Sequence, residues 1–337
     1  MNVATDVITE LPKIELHVHL EGTFNPSRIR ELAARAGEEL PRPAEDMYVT
    51  TNLAEFLEAL DWVCGLVRDT DTASEQAATF AHRLAAQGVV YAEVIINPTH
   101  WAGLDAPDLL AAVADGFERA HADGGADCRL LPSILRAQSA GDAIALVETV
   151  LKLDHPRIVG LSIDGNEEAE GPGSSRRFVE AYSLARDAGL GATAHAGESS
   201  GPEGVRDALD LLGVTRVDHG VRSADDPELL GRLATEEVTL NVCLSSNCHL
   251  VYGSIDEHPI RELIGAGVPV TINTDDPDTL RVTLSSELAL AARHLGWGAD
   301  ELVESQRRAV RASFAPAERK AELLALLDDH VVARRDT

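Results

Sequence analysis

The sequence predicts an α/β chain folded as a (β/α)8 barrel of the TIM type, and three observations carry that prediction. Eight short β-rich runs recur along the chain, amphipathic helical patterns separate them, and unusual polar residues stand at the carboxyl ends of several runs. Strands alternating with helices imply parallel pairing through crossovers, and eight such units close into a barrel. An open doubly wound sheet is the competing topology. It calls for a GxGxxG turn after the first strand, where "HLEGTFNP" offers one glycine.

The first run, about 14–20, lies in "IELHVHLEG". Strand alternation puts Glu15, His17, His19 and Glu21 on one side and Leu16, Val18 and Leu20 on the other. The apolar side can pack; the polar side calls for a purpose. The crossover from about 21 to 88 is the longest and holds at least two helical patterns, near 26–36 and 52–67. In the second, Leu53, Phe56, Leu57, Leu60, Val63 and Val67 recur at helical spacing. An insertion there is placed to roof the barrel mouth. Further strands are expected at about 89–96, 128–135, 158–164, 191–196, 216–219, 238–244 and 268–274. "SSRRFVEAYSLARDAG" and "DDPELLGRLATEE" read as intervening helices, and "DELVESQRRAVRASF" and "APAERKAELLALLDDH" as C-terminal helices packed outside. No repeat or Gly/Ser linker divides the chain, so residues 1–337 are expected to form one domain.

Composition narrows the function. Apolar residues make up 45% of the 337, enough for a sizeable core, and the net charge of −27 repels phosphate backbones and anionic membranes. Neither nucleic acid nor membrane is an expected partner. The N-terminus lacks a signal-peptide pattern, and no apolar stretch reaches the ~18 residues that span a bilayer. Cys64, Cys128, Cys243 and Cys248 show no CxxC spacing, which argues against a disulfide framework or a thiolate zinc site and fits a reduced cytoplasm.

The polar residues fall where barrel enzymes carry their chemistry. His17 and His19 end the first strand, His195 the fifth in "TAHAGES", His219 the sixth in "RVDHGVR", and Asp275 with Asp276 the eighth in "TINTDDP". Singly, each has an ordinary reading: a core histidine, or an aspartate capping a helix that opens at Pro277. Together, the imidazoles of His17, His19 and His195 and the carboxylate of Asp275 suit a zinc ion with one position open for water. Glu198, three residues past His195, is placed to act as a general acid if burial raises its pKa. His219 is placed to hydrogen-bond the nucleophile. The remaining histidines, His82, His121, His155, His258, His294 and His330, read as structural; His249, His100 and Trp101 stand near the mouth.

"LPKIELHVHLEGT", "HAGESSGPEG", "RVDHGVR" and "INTDDP", in this order, resemble the adenosine deaminase family of the amidohydrolase superfamily over about residues 11–310. The resemblance implies a (β/α)8 barrel with one zinc ion per subunit and hydrolytic removal of a purine 6-amino group. It implies that His17, His19, His195 and Asp275 bind the metal, with Asp275 also catalytic and His19 also touching substrate. Glu198 then protonates purine N1, His219 orients the hydroxide, Asp276 pairs with N7 as a protonated carboxyl, and the Gly165 amide in "SIDGNEE" meets N3. The expected substrate is adenosine, with 2′-deoxyadenosine, yielding inosine and ammonia. The alternatives are adenine, yielding hypoxanthine, or a modified adenosine such as aminodeoxyfutalosine or an N6-substituted adenine; an inactive zinc-binding barrel is the non-enzymatic alternative.

Departures from the family pattern bear on substrate. Adenosine-specific members usually carry "HLDG" and a glycine before the strand-six histidine; here stand Glu21 and Asp218, similar to the adenine deaminase branch. "GNEE" and "CLSSN" instead resemble the nucleoside branch. Asp164 reads either as a polar contact to substrate or as a solvated loop carboxylate. Lys13, Lys152 and Lys320 are the only lysines, and none stands where a carboxylated lysine would bridge two metals. The H-x-E with P-C-x-x-C signature of another deaminase class is absent.

Overall fold

The computed structural model describes residues 3–50, 53–171 and 173–335. Eight parallel strands form the barrel: β1 Lys13–His19, β2 Val89–Ile96, β3 Asp127–Leu135, β4 Gly160–Asp164, β5, β6 Arg216–His219, β7 Thr239–Val242 and β8 Val270–Ile272. β5 comes in two pieces, Gly191–Ala192 against β4 and His195–Ala196 against β6. Its Gly-Ala-Thr-Ala run has little side chain to hold a regular pleat, and single bonds span the break: Thr193 N–H to Leu161 O at 3.0 Å and Asp218 N–H to Ala194 O at 2.8 Å.

The barrel closes between β8 and β1 through groups that also build the site. The Asp275 N–H donates to His17 O at 3.1 Å, and the His19 N–H donates to Asp275 O at 2.8 Å. Side chains complete the seam: Asn273 Oδ1 accepts from the Leu16 N–H at 2.8 Å, and the buried Glu15 carboxylate accepts from the Thr274 N–H at 3.1 Å and from its hydroxyl at 2.5 Å. Glu15 therefore serves the seam. Glu21 lies beyond β1, in the turn Leu20–Thr23, and reaches the site from that turn rather than by strand alternation.

The long first crossover holds three helices: Pro26–Ala36, Leu53–Cys64 and Thr70–Ala86. Asn52, where the second predicted pattern begins, lies outside the described residues. Asn25 caps the first helix through Arg28 N, with Pro26 at its opening position, as the sequence signals of a helix start require. Thr70–Ala86 buries Ala73, Ala77, Phe80, Ala81 and Leu84, a stripe of mostly small side chains with little hydropathic contrast. Leu53–Cys64 touches the Leu20–Thr23 and Pro98–His100 turns, and burial first, then the charges of Glu21, Asp61 and Asp276, push its buried Cys64 thiol up. The insertion thus roofs the mouth.

The amino-terminal end of the barrel is plugged. Phe314 follows the helix Ala299–Ala312, and Arg216 stacks on its ring at 4.0 Å while pairing with Glu93 at 2.6 Å. Helices Val3–Glu10, Leu284–Leu295 and Ala317–Arg335 pack around the outside. No helix among the described residues is long and apolar enough to cross a membrane.

Candidate active site

Four side chains converge at the carboxyl ends of β1, β5 and β8. Nε2 of His17 lies 3.0 Å from Oδ1 of Asp275, Nε2 of His19 lies 3.0 Å from Nε2 of His195 and 3.5 Å from the same Oδ1, and all four donor atoms fall within 4.8 Å of one another. Three imidazoles and a carboxylate held this close, three of them buried, make a donor set that fits a borderline divalent cation.

The surrounding groups orient these donors. Asp218 is fully buried beneath them, with Oδ1 3.5 Å from Nδ1 of His17 and Oδ2 3.7 Å from Nδ1 of His195. A carboxylate on the Nδ1 side keeps the proton there and leaves Nε2 free to bind metal. Asn241 and Ser162 donate to Asp218 at 2.8 and 3.3 Å. Ser246 donates to the second Asp275 oxygen at 2.6 Å, and Arg136 holds the His195 carbonyl. Asp275 and His219 both adopt left-handed backbone, φ +67° and +64°, an arrangement ordinary residues rarely take and that clusters at functional sites.

Beside the donors, Glu198 Oε1 stands 3.5 Å from His219 Nε2. It sits in the turn after β5, ahead of the next helix, which opens at Pro202 with Gly201 as its cap. Burial first, then the Asp275 and Glu167 carboxylates, push Glu198 up to about 8. Burial and the neighbouring His17 hold His219 down at about 4. Asn247 Nδ2 lies 3.0 Å from His219 Nδ1, and His258 Nε2 lies 3.4 Å from Asn247 Oδ1, a relay that leaves the His219 proton on Nε2, facing Glu198. His258 is thus tied to the site through Asn247.

Asp276 occupies the N-cap position of Pro277–Leu280, yet its side chain does not cap that helix. Burial first, then the charges of Asp275 and Glu21, raise its carboxyl well above the usual range. Glu21 is buried. Its Oε1 accepts from the Trp101 indole N–H at 2.6 Å and the Asn97 N–H at 2.8 Å, while its Oε2 is buried with no partner among the described residues. Asp164 accepts from the Asn97 side chain at 2.6 Å and is only 7% exposed, so it belongs to this wall and is not a solvated loop carboxylate. Trp101 is fully buried as loop packing behind Glu21. Gly165, φ +95°, follows β4. A cavity of about 750 Å³ is bordered by Tyr48, Arg83, His249, Thr274 and Asp278, and none of the four donors lines it.

The structure brings His17, His19, His195 and Asp275 together, with His219 and Glu198 beside them, whereas Glu15 serves the seam and Trp101 packs behind Glu21. Asp218 stood out in the sequence only as a departure from a pattern, Ser246 and Asn247 only as part of "CLSSN", and Glu167 only as part of "GNEE", with nothing to mark its contact with the Glu198 turn.

A parallel barrel with imidazoles and a carboxylate at its carboxyl-end mouth defines the class of metal-dependent barrel hydrolases. The family model described as adenosine deaminase matches residues 12–330. An adenine deaminase of Rhizobium etli is 36% identical over 323 residues, covering 95% of this chain and 99% of that one. The crystal structure of adenine deaminase from Arthrobacter aurescens superposes with a TM-score of 0.88 at 30% identity, covering 95% of this chain and 99% of that one. An amidohydrolase of Burkholderia ambifaria with bound zinc gives 0.89 at 29% identity, covering 100% and 96%. The chain belongs to the adenosine deaminase family of the amidohydrolase superfamily, and it is a hydrolase that deaminates a 6-aminopurine.

Proposed function

We infer that the substrate is free adenine, hydrolysed to hypoxanthine and ammonia with one zinc ion held by His17, His19, His195 and Asp275. The observation that carries this reading is the buried, unpartnered Oε2 of Glu21, whose other oxygen is fixed by Trp101 and Asn97. A buried acceptor without a donor costs about 1–3 kcal/mol, which a ligand N–H recovers. Adenine offers one at N9; adenosine carries its sugar there. A site built to hydrogen-bond a substrate N–H rejects an analogue lacking it far more strongly than an apolar pocket rejects an extra methylene. The adenine deaminases of Rhizobium etli and Arthrobacter aurescens add support. The nucleoside reading rests on the "GNEE" and "CLSSN" likenesses, and no group in the Glu21 wall favours it.

Bound among its four ligands, zinc supplies a water activated for attack on C6 at neutral pH. The protein's own groups handle the rest. Gly165 offers its amide to N3, and protonated Asp276 donates to N7, an acceptor. Carboxylate Glu21 accepts from N9–H, so the three together select one tautomer of the base. Glu198, held protonated by its surroundings, gives its proton to N1 as C6 becomes tetrahedral, and His219 keeps the nucleophile in line. The proton left on the C6 hydroxyl passes to the exocyclic nitrogen, the C6–N bond breaks and ammonia departs as the C6 carbonyl forms, while the other water proton restores Glu198.

The test is parallel turnover by zinc-loaded protein of adenine, adenosine, 2′-deoxyadenosine and N6-methyladenine, followed by ultraviolet absorbance and ammonia release. The expected result is a kcat/KM for adenine about 10³-fold or more above that for adenosine. Faster turnover of adenosine would overturn the base assignment while leaving the chemistry intact.

A further inference from the structure

We propose that Glu167 is the positioning residue for Glu198, holding the proton donor at a set distance from the purine-contacting amide of Gly165; this rests on the role of Glu198 given above. Glu167 opens the short helix Glu167–Glu170, two residues after Gly165, and its side chain is buried and turned toward the loop after β5. There one carboxylate collects four donors from consecutive residues. Oε2 accepts from the Gly197 N–H at 2.8 Å and from the Ser200 hydroxyl; Oε1 accepts from the Glu198 N–H at 3.0 Å and the Ser199 N–H at 3.3 Å. Successive backbone N–H groups turned onto one anion form a nest, and the left-handed Gly197, φ +65°, makes that curvature possible. A Cβ at Gly197 would stand 2.6 Å from Val205 Cγ2, so the turn has no room to relax.

Glu198 depends on this turn because its own carboxyl is weakly held. Among the described residues Oε1 is buried without a hydrogen-bond partner, and His219 Nε2 stands 3.5 Å from it, beyond hydrogen-bond reach for a held carboxyl. The place of the carboxyl is therefore inherited from its backbone, and that backbone hangs on Glu167. The same carboxylate joins the loop after β4 to the loop after β5. It thereby fixes the distance between the Gly165 N–H and the Glu198 carboxyl, the groups assigned to purine N3 and N1. The Glu167 carboxylate commits both oxygens to the turn 197–200, so its effect on the reaction passes through Glu198.

Glu167→Gln keeps the shape but turns an amide N–H₂ onto donors, so the nest loses one of its two accepting oxygens. In the zinc-loaded protein, the expected result is a kcat lower by about 100-fold, the scale of a 1 Å misplacement of a reacting group, with KM changed less than about threefold. Zinc content per chain should stay at the wild-type value, and the amides of Gly197 to Ser199 should exchange with deuterium faster than in the wild type. A folded, zinc-replete Glu167→Gln protein with wild-type kcat or unchanged exchange at these amides would overturn the proposal. Should Glu167→Gln fail to fold, Glu167→Asp keeps the charge and both oxygens but shortens the reach; it is expected to lower kcat with little change in KM, and wild-type kcat there would be equally decisive against it. Glu198→Gln is the companion control. If that variant retains full activity, the proton-donor role itself fails. If it is inactive while Glu167→Gln is fully active, only the positioning role fails.

Discussion

Asp218 lies beneath His17, its Oδ1 3.5 Å from the imidazole Nδ1, and its other oxygen reaches toward His195. One buried carboxylate thus faces imidazoles from β1 and β5, strands not adjacent in the barrel. Removing its charge should loosen both ligands together. Asp218→Asn is expected to weaken zinc affinity about 10–100-fold, as outer partners of metal ligands typically do, while circular dichroism still reports a folded barrel. Chelator competition measures it; wild-type affinity in the variant would show that the carboxylate does not orient the imidazoles. Asp218, which departs from the glycine expected before the strand-six histidine, thereby acquires a physical meaning as the shared carboxylate of the His17 and His195 imidazoles.

Gly22 and Asp276 are locked together. A Cβ on Gly22 would stand 2.1 Å from Asp276 Oδ1 and 2.6 Å from its Cα, closer than any real contact. Gly22→Ala therefore displaces Asp276, and zinc content shows whether the adjoining donor Asp275 keeps its place. Expected are full zinc content and a kcat/KM for adenine lower by about 100-fold or more, because the group offered to N7 is misplaced. Steady-state kinetics on the zinc-replete variant decides; an unchanged kcat/KM would mean that Asp276 does not need its present position.

The alkaline limb of the pH profile should report Glu198. A proton donor works in its protonated form, which is present below its pKa and lost as pH rises through it. Burial and the Asp275 and Glu167 charges push that value up to about 8 in the protein alone, and a cation among the four donors pulls it back down. The kcat/KM for adenine is therefore expected to fall on the alkaline side with a midpoint at or below about 8, and Glu198→Gln should lower kcat about 10²–10⁴-fold with zinc retained. An alkaline limb that persists unchanged in the residual activity of Glu198→Gln would assign it to another group.

The barrel was legible in the sequence because its signals are local. Each strand is a short β-rich run, and the histidines and aspartates of the site stand at the ends of those runs, so the expected strands and the observed ones overlap at every position of the barrel. What could not be read there depends on pairs far apart in the chain. Glu167 binds backbone N–H groups, which every residue possesses, so nothing in "HAGES" marks it as their partner. Asn247 joins His258 to His219 through its amide, a relay that exists only once β6 and β7 lie side by side. The third helix of the insertion, Thr70–Ala86, buries mainly small or polar side chains, Thr72, Ala73, Ser74, Gln76, Ala77 and Ala81, which scarcely raise the hydropathic contrast. The break in β5 follows from Gly191, Ala192 and Ala194, whose small side chains give the pleat little to pack.

At the opposite end of the barrel the same reasoning predicts an effect on stability with none on chemistry. Arg216 and Glu93 are buried, pair at 2.6 Å, and lie against Phe314, while Gly191 admits the Phe314 ring so closely that a Cβ there would stand 2.2 Å from it. Arg216→Ala leaves the Glu93 carboxylate buried and uncompensated, and losing one partner of such a pair typically costs about 3–5 kcal/mol. Phe314 also loses the guanidinium stacked on its ring. The variant is expected to unfold at clearly lower denaturant concentration while the folded fraction turns over adenine with wild-type kcat, because no atom of this cluster reaches the carboxyl-end mouth where the metal donors lie. Urea unfolding paired with kinetics on the same preparation separates the two. A loss of kcat in protein that is fully folded would show that the plug transmits to the site; unchanged stability would show that the pair is not what closes this end of the barrel.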